Sequence, residues 1–400
     1  MIKSLIISTG YGGGAGRACL RLHKGLQEHP NVTSKVLIGQ FLPKEAMDDV
    51  YPVNNTKLEL LLRRRYTKLI AASTLRGRPN TEQTFLNPRT GYAIHRHPLV
   101  KEADIINLHW TTRFLDHRSF FANVDKPIVW TLHDMNPFSG GYPYDKDFPI
   151  DAYQDLIKAN LEYQIQAMKD VKNLTVVTLC KWMYDLSKAS SLFGRFRHEL
   201  IPNSLDVDTF QPVDSAATRQ RLGLPVDKKI LLFVASYLSH KRKGFQHLVA
   251  ALEILRDRMP VNDICLAVVG SGNLSALPEG YEIIELGHIT EERGMAEIYG
   301  AADMFIIPSE QDNLPNTVVE SLSTGTPVTG FAVGGIPDMV NAPELGLLAP
   351  RIDAGELATA IEKMLHTDFD REHIRASAIR RYSPKVQANA YHDLFADMLK

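Results

Sequence analysis

The chain has 400 residues, too many for one ordinary domain and suited to two of roughly 100–200 residues each. Its 45 lysines and arginines against 46 aspartates and glutamates give a net charge of −1, without the basic excess of a dedicated nucleic-acid binder. With 44% apolar and 23% charged residues, a disordered chain is excluded and a globular enzyme with an ample core is expected.

Three cysteines, Cys19, Cys180 and Cys265, lie far apart without CxxC spacing and are expected as buried, reduced thiols. The apolar run 5–7 is too short for the core of an export signal and leads directly into glycines. No stretch reaches the roughly 20 apolar residues that a membrane span needs. The expectation is a cytoplasmic protein, touching the membrane, if at all, from its inner face.

In chain order, short apolar runs alternate with amphipathic stretches. Buried strands are expected at 4–8, 34–38, 105–109, 128–132 and 175–179, then at 230–235, 265–269, 283–286, 304–307 and 327–331. Helices are expected at 16–28, 244–259, 295–301 and 317–323. Such alternation implies parallel sheets with right-handed crossovers. The series breaks at 201–218, where IPNSLDVDTFQPVDSAAT is rich in Pro, Asp and Ser. Two doubly wound α/β domains are expected, facing across a cleft, with ligands at the C-terminal ends of their strands.

Four segments carry chemistry. Gly10-Tyr-Gly-Gly-Gly-Ala-Gly16 follows the first strand and opens a helix, so its backbone can approach a phosphate at a helix N-terminus. It is not a dinucleotide fingerprint, because the second strand ends in Gly39-Gln40 rather than an acid. WTLHDMNPFSGGYPY (130–144) places His133 at a strand end, as a contact to a reacting group or as a structural histidine. His240-Lys-Arg-Lys-Gly244 puts three cations in a strand-to-helix loop, where Arg242 and Lys243 can neutralise a diphosphate. PSEQDNLPNTVVESLSTGTPV (308–328) runs from a strand through a polar loop into a helix, with Asp312 and Glu320 eight residues apart. Amides of Asn313, Leu314 and Asn316 at that helix entrance would face a sugar or phosphate.

These motifs, in this order, resemble glycosyltransferase family 4, retaining enzymes of GT-B fold. The similarity covers nearly the whole chain and is most specific at Asp312…Glu320 with SLSTGTPV behind it. FVASYLSHKRKG, VVGSG (268–272), ELGHI (285–289), IYGAADMFIIPS, GGIPDMV (334–340) and the interdomain-like IPNSLDVDTF (201–210) support it. The resemblance implies an acceptor-side domain at 1–205, with a C-terminal helix at about 380–400 packing back on it, and a nucleotide-sugar domain at 206–379. It implies that Glu320 binds the ribose, Asp312 the donor-sugar hydroxyls, and Lys243 with Arg242 the diphosphate. Backbone at Gly287, His288 and Ile289 would lie near the base. His133 would approach the donor sugar, and Gly13 and Gly14 the phosphates and acceptor.

Three positions depart from the family pattern. Asp312 replaces the usual glutamate, Pro315 a usual glycine, and Ala235-Ser236 the usual Gly-Arg. The implied reaction passes a sugar from a nucleotide diphosphate sugar to an acceptor hydroxyl of a saccharide or lipid-linked substrate, with retention and without a metal cofactor. Surface polysaccharide or glycolipid synthesis in a bacterium is the implied setting. A GT-B sugar-nucleotide epimerase and a catalytically idle GT-B scaffold are the alternatives. Asp206-Val-Asp208 and His95-Arg-His97 are read as structural rather than metal-binding. Residues 57–78 carry seven cations and one acid among Leu and Ile at helical spacing. They suit either an anionic membrane or a solvated helix with its apolar side in the core.

Overall fold

A computed structural model describes residues 1–39, 48–53, 57–79, 81, 83 and 85–400. The chain divides into two compact units, Met1–Ser204 with Pro384–Lys400, and Leu205–Ser383.

The first unit carries a seven-stranded parallel sheet. Its strands are β1 (Ile2–Ser8), β2 (Val32–Ile38), β3 (Val50–Pro52), β4 (Ile105–Leu108), β5 (Ile128–Leu132), β6 (Leu174–Thr178) and β7 (Arg197–Leu200). Their order is β3-β2-β1-β4-β5-β6-β7, so the winding direction reverses between β1 and β4. The central strands are apolar on both faces because helices cover both, as parallel sheets require. The final helix, Pro384–Met398, buries Tyr391, Leu394 and Phe395 in the same cluster as Cys19, Leu22 and Leu26 of the helix Gly13–Gln27. Its Tyr391 hydroxyl lies 2.8 Å from Thr131 Oγ1 on β5.

The second unit repeats the plan with six parallel strands. These are β8 (Lys229–Tyr237), β9 (Ile264–Ser271), β10 (Glu282–Gly287), β11 (Met304–Ile307), β12 (Val328–Phe331) and β13 (Gly346–Ala349). The order β10-β9-β8-β11-β12-β13 puts the reversal between β8 and β11. Loops after the strands on either side of a reversal diverge and leave a crevice at the strands' C-terminal ends. Phe233, Leu248, Leu252, Leu266 and Ile306 form the heart of this core. All three cysteines are buried, and none forms a disulfide.

The two-sheet α/β architecture agrees with the sequence reading, and three strands go beyond it. β3, β7 and β13 each lie at a sheet edge. β3 has three residues and β7 reads RHEL, so neither offers the two-sided apolar run that marks a central strand. Among the described residues, no helix is long and apolar enough to cross a membrane.

The helix Lys57–Leu75 turns a mixed set of residues inward, with half-buried Ile70 and Leu75 beside polar ones, Leu75 packing against Phe85, Phe148 and Tyr153. Thr67 is buried, Arg63 donates to the Gly91 carbonyl at 2.5 Å, and the Thr74 hydroxyl lies 3.4 Å from Asn87 Nδ2. Leu58, Leu61, Leu62 and Leu69 instead stand outward, exposed by 68, 65, 60 and 61%. These four leucines, at least, do not contribute to the core.

Candidate active site

In the second unit, the loops after β8 and β11 meet. β8 leads to a 3-10 turn, Lys241–Lys243, and then to the helix Phe245–Arg258. Gly244 joins them at φ +75°, and a Cβ there would sit 1.7 Å from the Pro308 carbonyl oxygen. Only glycine lets the basic turn approach the β11 loop this closely. The Glu310 amide donates to the Arg242 carbonyl at 2.8 Å, and Arg242 Nη1 donates to the Gln311 carbonyl at 2.5 Å. His247 Nε2 lies 2.7 Å from Glu310 Oε1, fastening the same loop to the helix behind.

This clamp brings the cations to Asp312. Lys243 Nζ donates to Asp312 Oδ2 at 2.6 Å, and Arg242 Nη1 lies 3.5 Å from the same oxygen. The Asp312 side chain is only 9% exposed. Burial pushes its carboxyl pKa up, but the Lys243 and Arg242 charges, with hydrogen bonds from Lys243 and the Asn313 amide, hold it below the ordinary value. The Asn313 amide thus serves Asp312 and is not the free donor expected at the helix entrance. Behind the loop, a Cβ at Gly334 (φ +57°) would meet the Asp312 carbonyl oxygen at 1.9 Å, and the Gly335 amide donates to that oxygen at 3.0 Å. The GGIPDMV segment therefore supports the acidic loop from below.

The helix after this loop is Asn316–Ser323, with Pro315 at its N-cap and no side-chain cap. Glu320 sits in its second turn, 8% exposed. Tyr299 is deeply buried, and the nearby Glu320 carboxylate adds to the burial that raises its hydroxyl pKa. Leu314 is buried, while Asn316 is half-exposed at the helix start. Gly287 ends the edge strand β10 at φ +67°, followed by exposed His288 and half-buried Ile289.

The first unit places its residues at equivalent strand ends. Gly13 and Gly14 are exposed at the N-terminus of the helix Gly13–Gln27, which has Gly12 at its N-cap and no side-chain cap. His133 follows β5, and its Nε2 lies 2.9 Å from Nδ1 of His109, which follows the neighbouring β4. Burial lowers both imidazoles, His133 to about 4 and His109 well below its usual range, so the pair is neutral at pH 7. His109 carried a signal that the sequence reading passed over, since it closes the apolar run 105–109 as His133 follows the run 128–132.

The remaining candidates are structural. Asp206 Oδ1 accepts from the backbone amides of Asp208 and Thr209 at 3.1 and 3.2 Å, so the DxD triplet closes a turn. His97 Nδ1 accepts from the Leu99 amide at 3.3 Å, capping the short helix Pro98–Glu102. Among the described residues, no three His, Cys, Asp or Glu side chains cluster to hold a metal ion.

Two doubly wound parallel sheets, with a cation–acid pair at one switch point, define a protein of the GT-B class. The family model for glycosyl transferases group 1 matches residues 228–367. The D-inositol 3-phosphate glycosyltransferase of Xylanimonas cellulosilytica is 33% identical over 298 residues, covering 69% of this chain and 67% of that protein. The enzyme of the same name from Corynebacterium jeikeium is 28% identical over 220 residues, 50% of this chain and 51% of that protein. A solved structure of Anabaena HepE in complex with UDP and glucose superposes with a TM-score of 0.67 at 14% identity, covering 99% of this chain and 100% of that one. The chain belongs to the group 1 glycosyltransferases, at the level of family 4. It spans 51 to 67% of the length of these two curated relatives.

Proposed function

We propose that the chain is a retaining glycosyltransferase that moves a sugar from a nucleotide diphosphate sugar to an acceptor hydroxyl. The observation that carries this reading is the Lys243–Asp312 pair at the β8/β11 switch point, with Glu320 in the helix that follows. The chemical obstacle is departure of an anionic diphosphate from an oxocarbenium-like centre. A cation already held in place stabilises that charge as it develops, and losing one such donor typically costs about 3 kcal/mol. Lys243 and Arg242 are assigned this task, and the scheme requires no metal. Glu320 is assigned the ribose, Asp312 the donor-sugar hydroxyls and the orientation of Lys243, and His133 a neutral contact to the sugar. Backbone at Gly287, His288 and Ile289 is assigned to the base, and Gly13 and Gly14 to the phosphates and acceptor.

Support for a nucleotide-sugar donor comes from the family and from the UDP and glucose in the HepE complex. The names of the curated relatives suggest an inositol phosphate as one acceptor to test. Among the described residues none stands as an obvious covalent nucleophile, so we favour a front-face route in which the departing phosphate oxygen helps deprotonate the incoming hydroxyl. Purified protein incubated with UDP-, GDP- and ADP-sugars and an acceptor panel tests the reading. Transfer with the donor's anomeric configuration kept supports it. A rearranged free sugar without acceptor would instead show the epimerase, and no turnover of any donor the idle scaffold.

A second reading concerns location. The outward leucines of the helix Lys57–Leu75 are flanked by exposed Arg64, Arg65 and Lys68. A protein in water normally turns such a row inward. An anionic bilayer accepts both the apolar face and the cations. We therefore place the chain at the inner face of a bacterial membrane, in surface polysaccharide or glycolipid synthesis.

A further inference from the structure

Three side-chain pairs bridge the C-terminal ends of β4 and β5 in succession. Thr131 Oγ1 donates to Asn107 Oδ1 at 3.0 Å, the imidazoles of His109 and His133 meet at 2.9 Å, and Trp110 Nε1 donates to Asp134 Oδ2 at 3.2 Å. Asn107 and Thr131 each stand two residues before a histidine, so the strand pairing that joins Leu108 to Trp130 also carries the imidazoles together. The His109 amide donates to the Ile7 carbonyl at 2.9 Å, which fixes that residue to β1 as well. On the other side, Asp134 Oδ1 accepts from the Asn136 amide at 2.9 Å and closes the turn after His133. The two rings are not equally placed. His109 is 2% exposed, whereas His133 is half-buried and reaches solvent. Of the two, His133 is the one that can meet a ligand, with His109 behind it.

A contact of 2.9 Å between nitrogens of two neutral imidazoles holds one proton. Two protons would collide, and none would leave two lone pairs facing each other. Two arrangements remain. If His133 Nε2 donated, His109 would carry its own proton on Nε2, a buried N–H for which the described residues offer no partner. If His109 Nδ1 donates, that same Nε2 keeps only a lone pair. Among buried backbone groups an orphaned N–H is rarer than an under-satisfied acceptor, and a ring N–H loses its water at the same kind of cost. The second arrangement is the cheaper one.

We infer that His109 is a positioning residue, which donates its Nδ1 proton to His133 Nε2 and so fixes both the ring orientation and the tautomer of His133. His133 then carries its own proton on Nδ1, and its Nε2 lone pair is committed to His109. It meets the transferred sugar as an oriented polar group. Through Nε2 it takes up no proton from an incoming hydroxyl. That agrees with a route in which the departing phosphate oxygen, and not this histidine, receives the acceptor's proton. The inference rests on the proposed contact between His133 and the sugar.

Ring-nitrogen NMR of the 15N-labelled, ligand-free protein reads the proton directly. His109 should show a protonated Nδ1 and a bare Nε2, and His133 a bare Nε2 and a protonated Nδ1. Scalar coupling between His109 Nδ1 and His133 Nε2 should report the bond itself. The reversed pattern, or two tautomers at His133, would overturn the inference. His109→Phe keeps a ring in place but offers no proton. It should lower kcat roughly 3- to 10-fold, the worth of one hydrogen bond. The donor KM should change little, because the nucleotide is assigned to the second unit. The His133 ring of this variant should show both tautomers. His109→Asn puts an amide N–H near the place of Nδ1 and should recover the rate and the single tautomer. If neither variant folds, the pattern in the unaltered protein still decides. A wild-type kcat in His109→Phe, beside a slowed His133→Ala, would also overturn the inference. A wild-type rate in His133→Ala would instead strike the contact to the sugar, and with it the parent reading, while the shared proton stays where NMR finds it.

Discussion

Lys243 Nζ lies 2.6 Å from the Asp312 carboxylate, so the cation assigned to a diphosphate and the acid assigned to a sugar hydroxyl hold each other. The acid is the more buried partner, and taking away its cation leaves a largely desolvated charge behind. Lys243→Ala should therefore lower turnover at least tenfold and also destabilise the second unit. Lys243→Arg should keep the stability and recover part of the rate. Steady-state kinetics beside thermal unfolding separates the two effects, and a wild-type rate in purified, folded Lys243→Ala would remove Lys243 from the mechanism.

The same pair sets a pH dependence. Asp312 has a folded pKa below the ordinary 3.8, so its contribution to stability is complete above that value. The contribution is lost as pH falls through the lower folded value. Asp312→Asn should flatten this acid limb while leaving the limb above pH 5 parallel to wild type. Urea unfolding between pH 2 and pH 6 reads the difference, and identical acid limbs would argue that the pair is not formed in solution.

Glu320 is buried in the second turn of its helix, beside the Tyr299 hydroxyl. Glu320→Gln should fold normally and lose donor affinity, with kcat/KM down at least tenfold. An unchanged donor KM and kcat would take the ribose away from Glu320.

Gly244 tests the backbone clamp independently of charge. Gly244→Ala places a Cβ against the Pro308 carbonyl in a left-handed conformation. It should cost more than about 1 kcal/mol, the scale for alanine at such a position. Calorimetry should show a lowered melting temperature together with weaker donor binding. An unperturbed variant would mean that the two loops are not apposed.

The outward row on the helix Lys57–Leu75 predicts salt-sensitive binding to vesicles containing anionic lipid. Leu61→Gln with Leu62→Gln should leave stability intact, because neither side chain is in the core, and should abolish binding. Charge reversal at Arg64 and Arg65 should do the same. Vesicle sedimentation at low salt that finds no binding by the unaltered chain would end the membrane reading.

The readable parts of this protein are those where one physical rule dominates. Central strands such as β5, IVWTL, announce themselves because both faces are covered. The edge strands β3 and β7 do not, since a short half-solvated strand needs no apolar pattern. The loop 308–316 was legible because its composition changes sharply between a buried strand and a helix, but the ion pair inside it was not. Lys243 and Asp312 are 69 residues apart and meet only because β8 and β11 are neighbours in the sheet. The 57–78 stretch shows the opposite failure. Helical spacing brings its leucines and isoleucine near one another, yet it does not say that Leu75 packs inward while Leu58, Leu61, Leu62 and Leu69 stand in solvent.

A crystal structure of the protein with a nucleotide diphosphate sugar tests the central claim most directly. The account requires the diphosphate within hydrogen-bond reach of Lys243 Nζ, the ribose at Glu320 and the sugar beside Asp312. A donor bound away from the loop 308–316, or with its phosphates far from Lys243, would contradict it.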